Sequence, residues 1–215
     1  MHQLYDVRNE EGLTYDPHGF ATLFSSNEGA ADFGRLMPGQ AGIDVHATED
    51  REDDAYVLGG MLSYSTMAGS EVFVGKGSWV VARPGEPRGY WNRGGKPVTL
   101  FRFRPKSAKR GAPGSQRIYK PSESRTSLMP NQPRVVAYET PTSRGETLTL
   151  HPGEPAPFHA SFCCATFVTS GRVMALFGRE KISLDAGEGI GFVGERGEIV
   201  GVGGLSNVVV FTTTV

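Results

Sequence analysis

The chain has 215 residues, 29 of them glycine and 14 proline, and a formal net charge of −1. So balanced a charge gives no electrostatic footing for nucleic acid or an anionic membrane surface, and no apolar run reaches the roughly 18–20 residues of a membrane span. The glycine and proline content suits a turn-rich β protein, and the length is enough for one large domain or two small ones with a real core.

The first residues, MHQLYDVRNEEG, lack the basic and apolar regions of a secretory leader. The only two cysteines, Cys163 and Cys164, are adjacent. Neighbouring strand residues point to opposite faces, so such a pair rarely bridges. Both features point to a reducing, cytoplasmic setting. Residues 1–19 read as a polar arm in which Tyr5, Val7, Leu13 and Tyr15 form an edge strand or a flap. Residues 20–24 and 31–37 read as strands, the second leading into a turn at Pro38–Gly39. An acidic run follows His46: Glu49, Asp50, Glu52, Asp53 and Asp54, opposed only by Arg51. It is either a solvated loop or the start of a strand that sends Asp53 inward. Residues 55–58 are a strand ending in Gly59–Gly60, and 61–66 with 70–74 suggest a hairpin in which Met61, Tyr64 and Met67 are packing residues. A further strand spans 78–82, then a Pro-Gly-x-Pro corner and the aromatic pair Tyr90–Trp91. Residues 98–103 alternate, with Val98, Leu100 and Arg102 on one face. For Arg102 and Arg104, exposure at a sheet edge is expected over an inward position.

Residues 105–133 carry proline and basic side chains in linker proportions. From 134 the β rhythm returns and repeats the first half. LTLHPG at 148–153 matches RLMPG at 35–39, FVTSG at 167–171 matches YVLGG at 56–60, and GEGIGFV at 187–193 matches GKGSWVV at 75–81. Three matches in the same order indicate internal duplication.

The first repeat resembles the cupin family. YVLGG at 56–60 looks like that family's strand end, which places His46 on its first metal-ligand histidine, Thr48 on the second and Asp53 on its glutamate. Pro84, Gly85 and Asn92 match its second motif, and Arg88 stands where the third histidine belongs. The resemblance implies an all-β chain with two cupin jelly-roll β-barrels: an N-terminal arm at 1–19, barrel 1 at 20–104, a linker at 105–133 and a more degenerate barrel 2 at 134–215. It also implies one divalent metal, iron, manganese, nickel or zinc, held by His46 and Asp53, or no metal at all, since Arg88 sets a permanent positive charge at a ligand position. That charge favours an anion instead, a carboxylate or sugar acid, with Arg88, Tyr90 and Trp91 binding it and His46 with Arg88 as catalytic groups. In barrel 2, His159, Cys164 and Glu198 make a second candidate metal set, whereas Cys163 and Cys164 as small core hydrophobes are the plainer reading. The arm could bring His18 to the mouth of a barrel as a missing ligand. Function then divides between an oxygenase, isomerase or lyase acting on a small acid and a non-catalytic binding or sensor protein. A homodimer through exposed strands is expected with either.

Overall fold

A computed structural model describes residues 2–46, 52–65, 70–84, 88–105, 117–120, 134–159 and 163–214, with the backbone alone at 10, 43–46, 117 and 159. The strands are β1 (His2–Asp6), β2 (Phe20–Ser25), β3 (Gly29–Leu36), β4 (Ala41–His46), β5 (Asp53–Gly59) and β6 (Met61–Ser65). Then come β7 (Glu71–Gly75), β8 (Trp79–Ala82), β9 (Arg88–Trp91), β10 (Val98–Pro105), β11 (Arg117–Tyr119) and β12 (Arg134–Glu139). The last are β13 (Ser143–Leu150), β14 (Pro155–His159), β15 (Cys163–Phe177), β16 (Glu180–Asp185), β17 (Glu188–Val193) and β18 (Arg196–Thr213). Among the described residues no helix is long and apolar enough to cross a membrane.

The chain forms two compact units, residues 11–123 and residues 1–10 with 124–215. In the first, a six-stranded sheet runs β11-β8-β5-β10-β3-β2 and a four-stranded sheet runs β4-β9-β6-β7. Alternation decides what lies between them. Ala55 and Val57 of β5, Val98 and Leu100 of β10, Val80 and Leu36 join Leu62, Tyr64, Val74 and Tyr90 from the four-stranded sheet in one core. Arg117–Tyr119 of the linker adds a strand at the edge of β8.

The second unit is a single eight-stranded sheet. Its two long strands, β15 and β18, pair with each other from Cys164↔Thr212 to Leu176↔Glu198, with bulges between Val168 and Arg172. Gly171 is therefore a bend inside a continuing strand. Leu148, Leu150, Val168, Ile190, Phe192, Ile199 and Val208 fill its core. The first strand of the arm, His2–Asp6, pairs with β17 in this unit, so it belongs with the second half of the chain. His18 is exposed, in a turn where the Asp16 carboxylate accepts from the His18 and Phe20 amides.

The repeat is visible in the register. Leu36 pairs with Val98 and Leu150 with Ser206, while Asp32 pairs with Arg102 and Glu146 with Val210. Gly60 and Gly171 end the matching segments with φ of 80° and 77°. A Cβ at Gly60 would meet the Pro97 carbonyl at 2.6 Å, and one at Gly171 would meet the Ser206 hydroxyl at 2.6 Å. Gly153 has φ of 78° and open space around it. Gly153→Ala is expected to cost about 1–2 kcal/mol, the bare price of a left-handed residue, and Gly60→Ala or Gly171→Ala clearly more in urea denaturation. Equal losses at all three positions would mean that the close contacts carry no weight.

Candidate functional site

One end of the inner face of the first unit is charged. Asp53 is the first residue of β5 and continues inward the row of Ala55 and Val57. It is fully buried. Arg102, two residues beyond Leu100 on β10, meets it side-on: Nε donates to Oδ1 at 2.8 Å and Nη2 to Oδ2 at 2.5 Å. Arg88 reaches it from β9 in the facing sheet, with Nε 2.7 Å and Nη2 2.5 Å from Oδ2. The Tyr90 hydroxyl donates to Oδ1 at 3.3 Å. Arg88 is the bulkiest fully buried side chain among the described residues. Arg102 also lies over the Phe20 ring, 4.8 Å from its centroid, a favourable place for a planar cation.

The row continues outward along β3 and β10. Asp32, opposite Arg102, lies 3.7 Å from its Nη1. Arg104 sits against Asp32, Nε at 2.7 Å from Oδ2 and Nη2 at 2.8 Å from Oδ1, and the Thr22 hydroxyl donates to Oδ1 at 3.0 Å. Side-chain exposure rises outward, from 1% at Arg88 through 11% at Arg102 to 25% at Arg104. Among the described residues, Arg88, Arg102 and Arg104 thus face Asp32 and Asp53, three guanidinium groups to two carboxylates. Asp54 stands on the other face of β5.

Burial alone would raise the Asp53 pKa. The charges of Arg102 and Arg88, and the hydrogen bonds they donate, outweigh it and hold the carboxyl well below the ordinary range. For Tyr90, burial and then the Asp53 charge push the phenol well up, so its hydroxyl remains a donor.

Exposure of Arg102 and Arg104 at a sheet edge is corrected here. β10 is a central strand, between β5 and β3, so an inward arginine on it finds an aspartate on each side. Tyr90 and Trp91 do not share a wall. Tyr90 points into the core beside Tyr64, at 5.5 Å between centroids, whereas Trp91 is partly exposed on the other face under the Arg93 guanidinium. The His46 backbone lies opposite Arg88 in the β4–β9 pair, but its side chain, with Thr48, Glu49, Asp50, Met67 and Gly85, lies outside the described residues.

Asp53 does not suit a divalent metal. Both oxygens are already taken by two guanidinium groups and a phenol, and a cation placed there would meet two fixed positive charges at contact distance. In the second unit, Cys164 is sealed in the core, where burial and the neighbouring Cys163 push its thiol far up, and Thr212 is its hydrogen-bond partner at 3.9 Å. Glu198 is exposed at the opposite end of the β15–β18 pair. The structure therefore does not bring Cys164 and Glu198 together, and the His159 side chain lies outside the described residues. Among the described residues no three His, Cys, Asp or Glu side chains gather as a metal would require.

No family model matches the sequence, and no curated protein sequence matches it. Solved structures do match. Protein Ylba from E. coli, of the DUF861 family model, superposes over 99% of this chain and 90% of its own with a TM-score of 0.81 at 14% identity. A salicylate 1,2-dioxygenase from Pseudaminobacter salicylatoxidans gives 0.77 at 12% identity over 98% of this chain and 83% of its own. A cupin 2 conserved barrel domain protein from Leptotrichia buccalis gives 0.70 at 9% identity over 99% and 96%. The chain is all-β with the cupin fold. At these identities the likeness is one of fold.

Removing one member of a buried ion pair strands the other, at about 3–5 kcal/mol. Asp53→Asn is expected to show a loss of that size in urea denaturation at neutral pH. Because the folded-state pKa of Asp53 is lowered, its contribution is complete above the unfolded value of about 3.9 and is lost as the pH falls toward the folded value. The gap between wild type and variant should hold down to about pH 5 and narrow below about pH 4. A gap that stays constant to the acid limit of folding would separate the loss from the Asp53 charge.

Proposed function

We propose that this chain is a cupin-type protein whose first barrel binds a small anionic ligand, a carboxylate or sugar acid, through arginine rather than through a metal. The observation that carries this reading is the excess of guanidinium over carboxylate on the inner face of β3, β5, β9 and β10, graded from sealed Arg88 to partly open Arg104. Arg88, Asp53 and Tyr90 form the base of the site, and Arg102 with Arg104 reads the ligand. A guanidinium fork suits a planar carboxylate in both charge and shape. The structural neighbour that is a salicylate 1,2-dioxygenase has also been solved with gentisate, an aromatic acid, which supports the same ligand class. Catalysis on such a ligand would use His46 as acid or base, since its backbone lies across from Arg88. Binding without chemistry is the better supported of the two, because every contact described at Asp53 holds the site together. A reducing cytoplasm is the setting that fits this reading, since the buried Cys163 and Cys164 form no disulfide.

The test is a thermal-shift screen of small carboxylates and sugar acids, followed by calorimetry. An acid is expected to bind with an affinity that weakens as salt rises and drops by about tenfold or more in Arg104→Gln, the loss of one charge-assisted hydrogen bond. Equal affinity for the matching neutral amide, or no response to any acid, would defeat the reading.

A further inference from the structure

The contacts around Asp53 have the form of a ligand site. Arg102 sets two parallel N–H groups against the two oxygens, Arg88 converges on one oxygen from the opposite sheet, and the Tyr90 hydroxyl caps the other. Five contacts on one carboxylate, from donors sealed from water, are what a receptor for a free carboxylate would contain. We infer that Arg88, Arg102 and Tyr90 form a receptor for a small monocarboxylate, and that the chain fills it with its own Asp53 side chain.

The backbone makes this separable. Asp53 is held in the sheet through its pairing with Ala82 at the start of β5, so the strand does not depend on the side chain for its register. Beyond Cα the residue is one methylene and one carboxylate. Acetate reproduces both, and formate reproduces the carboxylate alone. Asp53→Gly therefore leaves a space that acetate and formate each fill, whereas Asp53→Ala retains Cβ and leaves room for formate only. The donors converge on two oxygens in one plane, the geometry of a carboxylate. A neutral amide such as acetamide would bring no charge in place of the one that Asp53 sets against the two guanidinium groups.

This inference stands without the ligand reading above. The experiment is thermal denaturation of wild type, Asp53→Gly and Asp53→Ala in sodium formate, sodium acetate, sodium chloride and acetamide, at matched ionic strength for the three salts. The midpoint of Asp53→Gly is expected to rise with the logarithm of formate or acetate concentration, by about 5 °C at about ten times Kd. Asp53→Ala should respond to formate and not to acetate, and neither variant to chloride or acetamide beyond the wild-type response. Adding Arg102→Met to Asp53→Gly should abolish the gain. If Asp53→Gly is recovered only unfolded, its refolding yield in formate replaces the midpoint. Rises of equal size in wild type and variants, or variants indifferent to both carboxylates, would overturn the receptor. Recovery of the variants together with a wild type that binds no acid would keep the receptor and remove the ligand reading instead.

Discussion

Two guanidinium groups share one buried carboxylate at one end of the core of the first unit, and much of that unit is arranged around the consequences. Taking any of these ions from water costs several kcal/mol, and a lone pair of charges repays that only with near-ideal geometry. Here Asp53 is met side-on by Arg102 and end-on by Arg88, so its oxygens are satisfied from two directions. Arg102 comes from the strand beside Asp53 in the six-stranded sheet, and Arg88 from the four-stranded sheet. The same contacts that neutralise the charge therefore tie the two sheets together at one end, where the apolar core of Ala55, Val57, Leu100 and Tyr64 gives way to polar side chains.

The chemistry follows from the sign of the charge. The motif resemblance proposes Arg88 for a position at which the cupin family has a metal-ligand histidine. A guanidinium at the same place cannot lose its proton and cannot donate a lone pair. A guanidinium repels a cation and attracts an anion. An acid must then remain close, or the interior would hold positive charge without an answer. Asp53, shorter than the family's glutamate, supplies that acid, and Asp32 does the same for Arg104 one step outward.

The strands of this chain were legible because turns and alternation announce them. Residues 98–103 were read with Val98, Leu100 and Arg102 on one face, and that face is the inner one. The surroundings of that face were less accessible. Whether Arg102 lies at an edge or in the middle of a sheet depends on strand order, a long-range property that local periodicity does not encode. The same limit explains the N-terminal strand, which reads as an arm by its polarity and finds its partner, β17, about 180 residues away. Gly171, which matches Gly60 in the repeat, bends a strand whose pairing continues beyond it, again a long-range property. Trp91 follows directly from alternation, since a residue next to an inward Tyr90 must face out.

The two halves show which part of the charged end is the firmer constraint. Asp32 and Glu146 hold the same register position in the matching strands β3 and β13, and both are buried acids. Their cations differ in origin. Asp32 is answered by Arg102 and Arg104 from β10, whereas Glu146 is answered by Arg134 of β12 and Arg144 of its own strand. At the positions of Asp53 and Arg102 the second half has Cys164 and Val210, both buried and uncharged. The duplicated frame therefore tolerates an acid on the matching strands β3 and β13, with arginines recruited from whichever strand is near. Only the first copy adds a second acid and a second sheet to the network. Among the described residues the arginines outnumber the acids by one in both copies, so what sets the first apart is a network that spans two sheets.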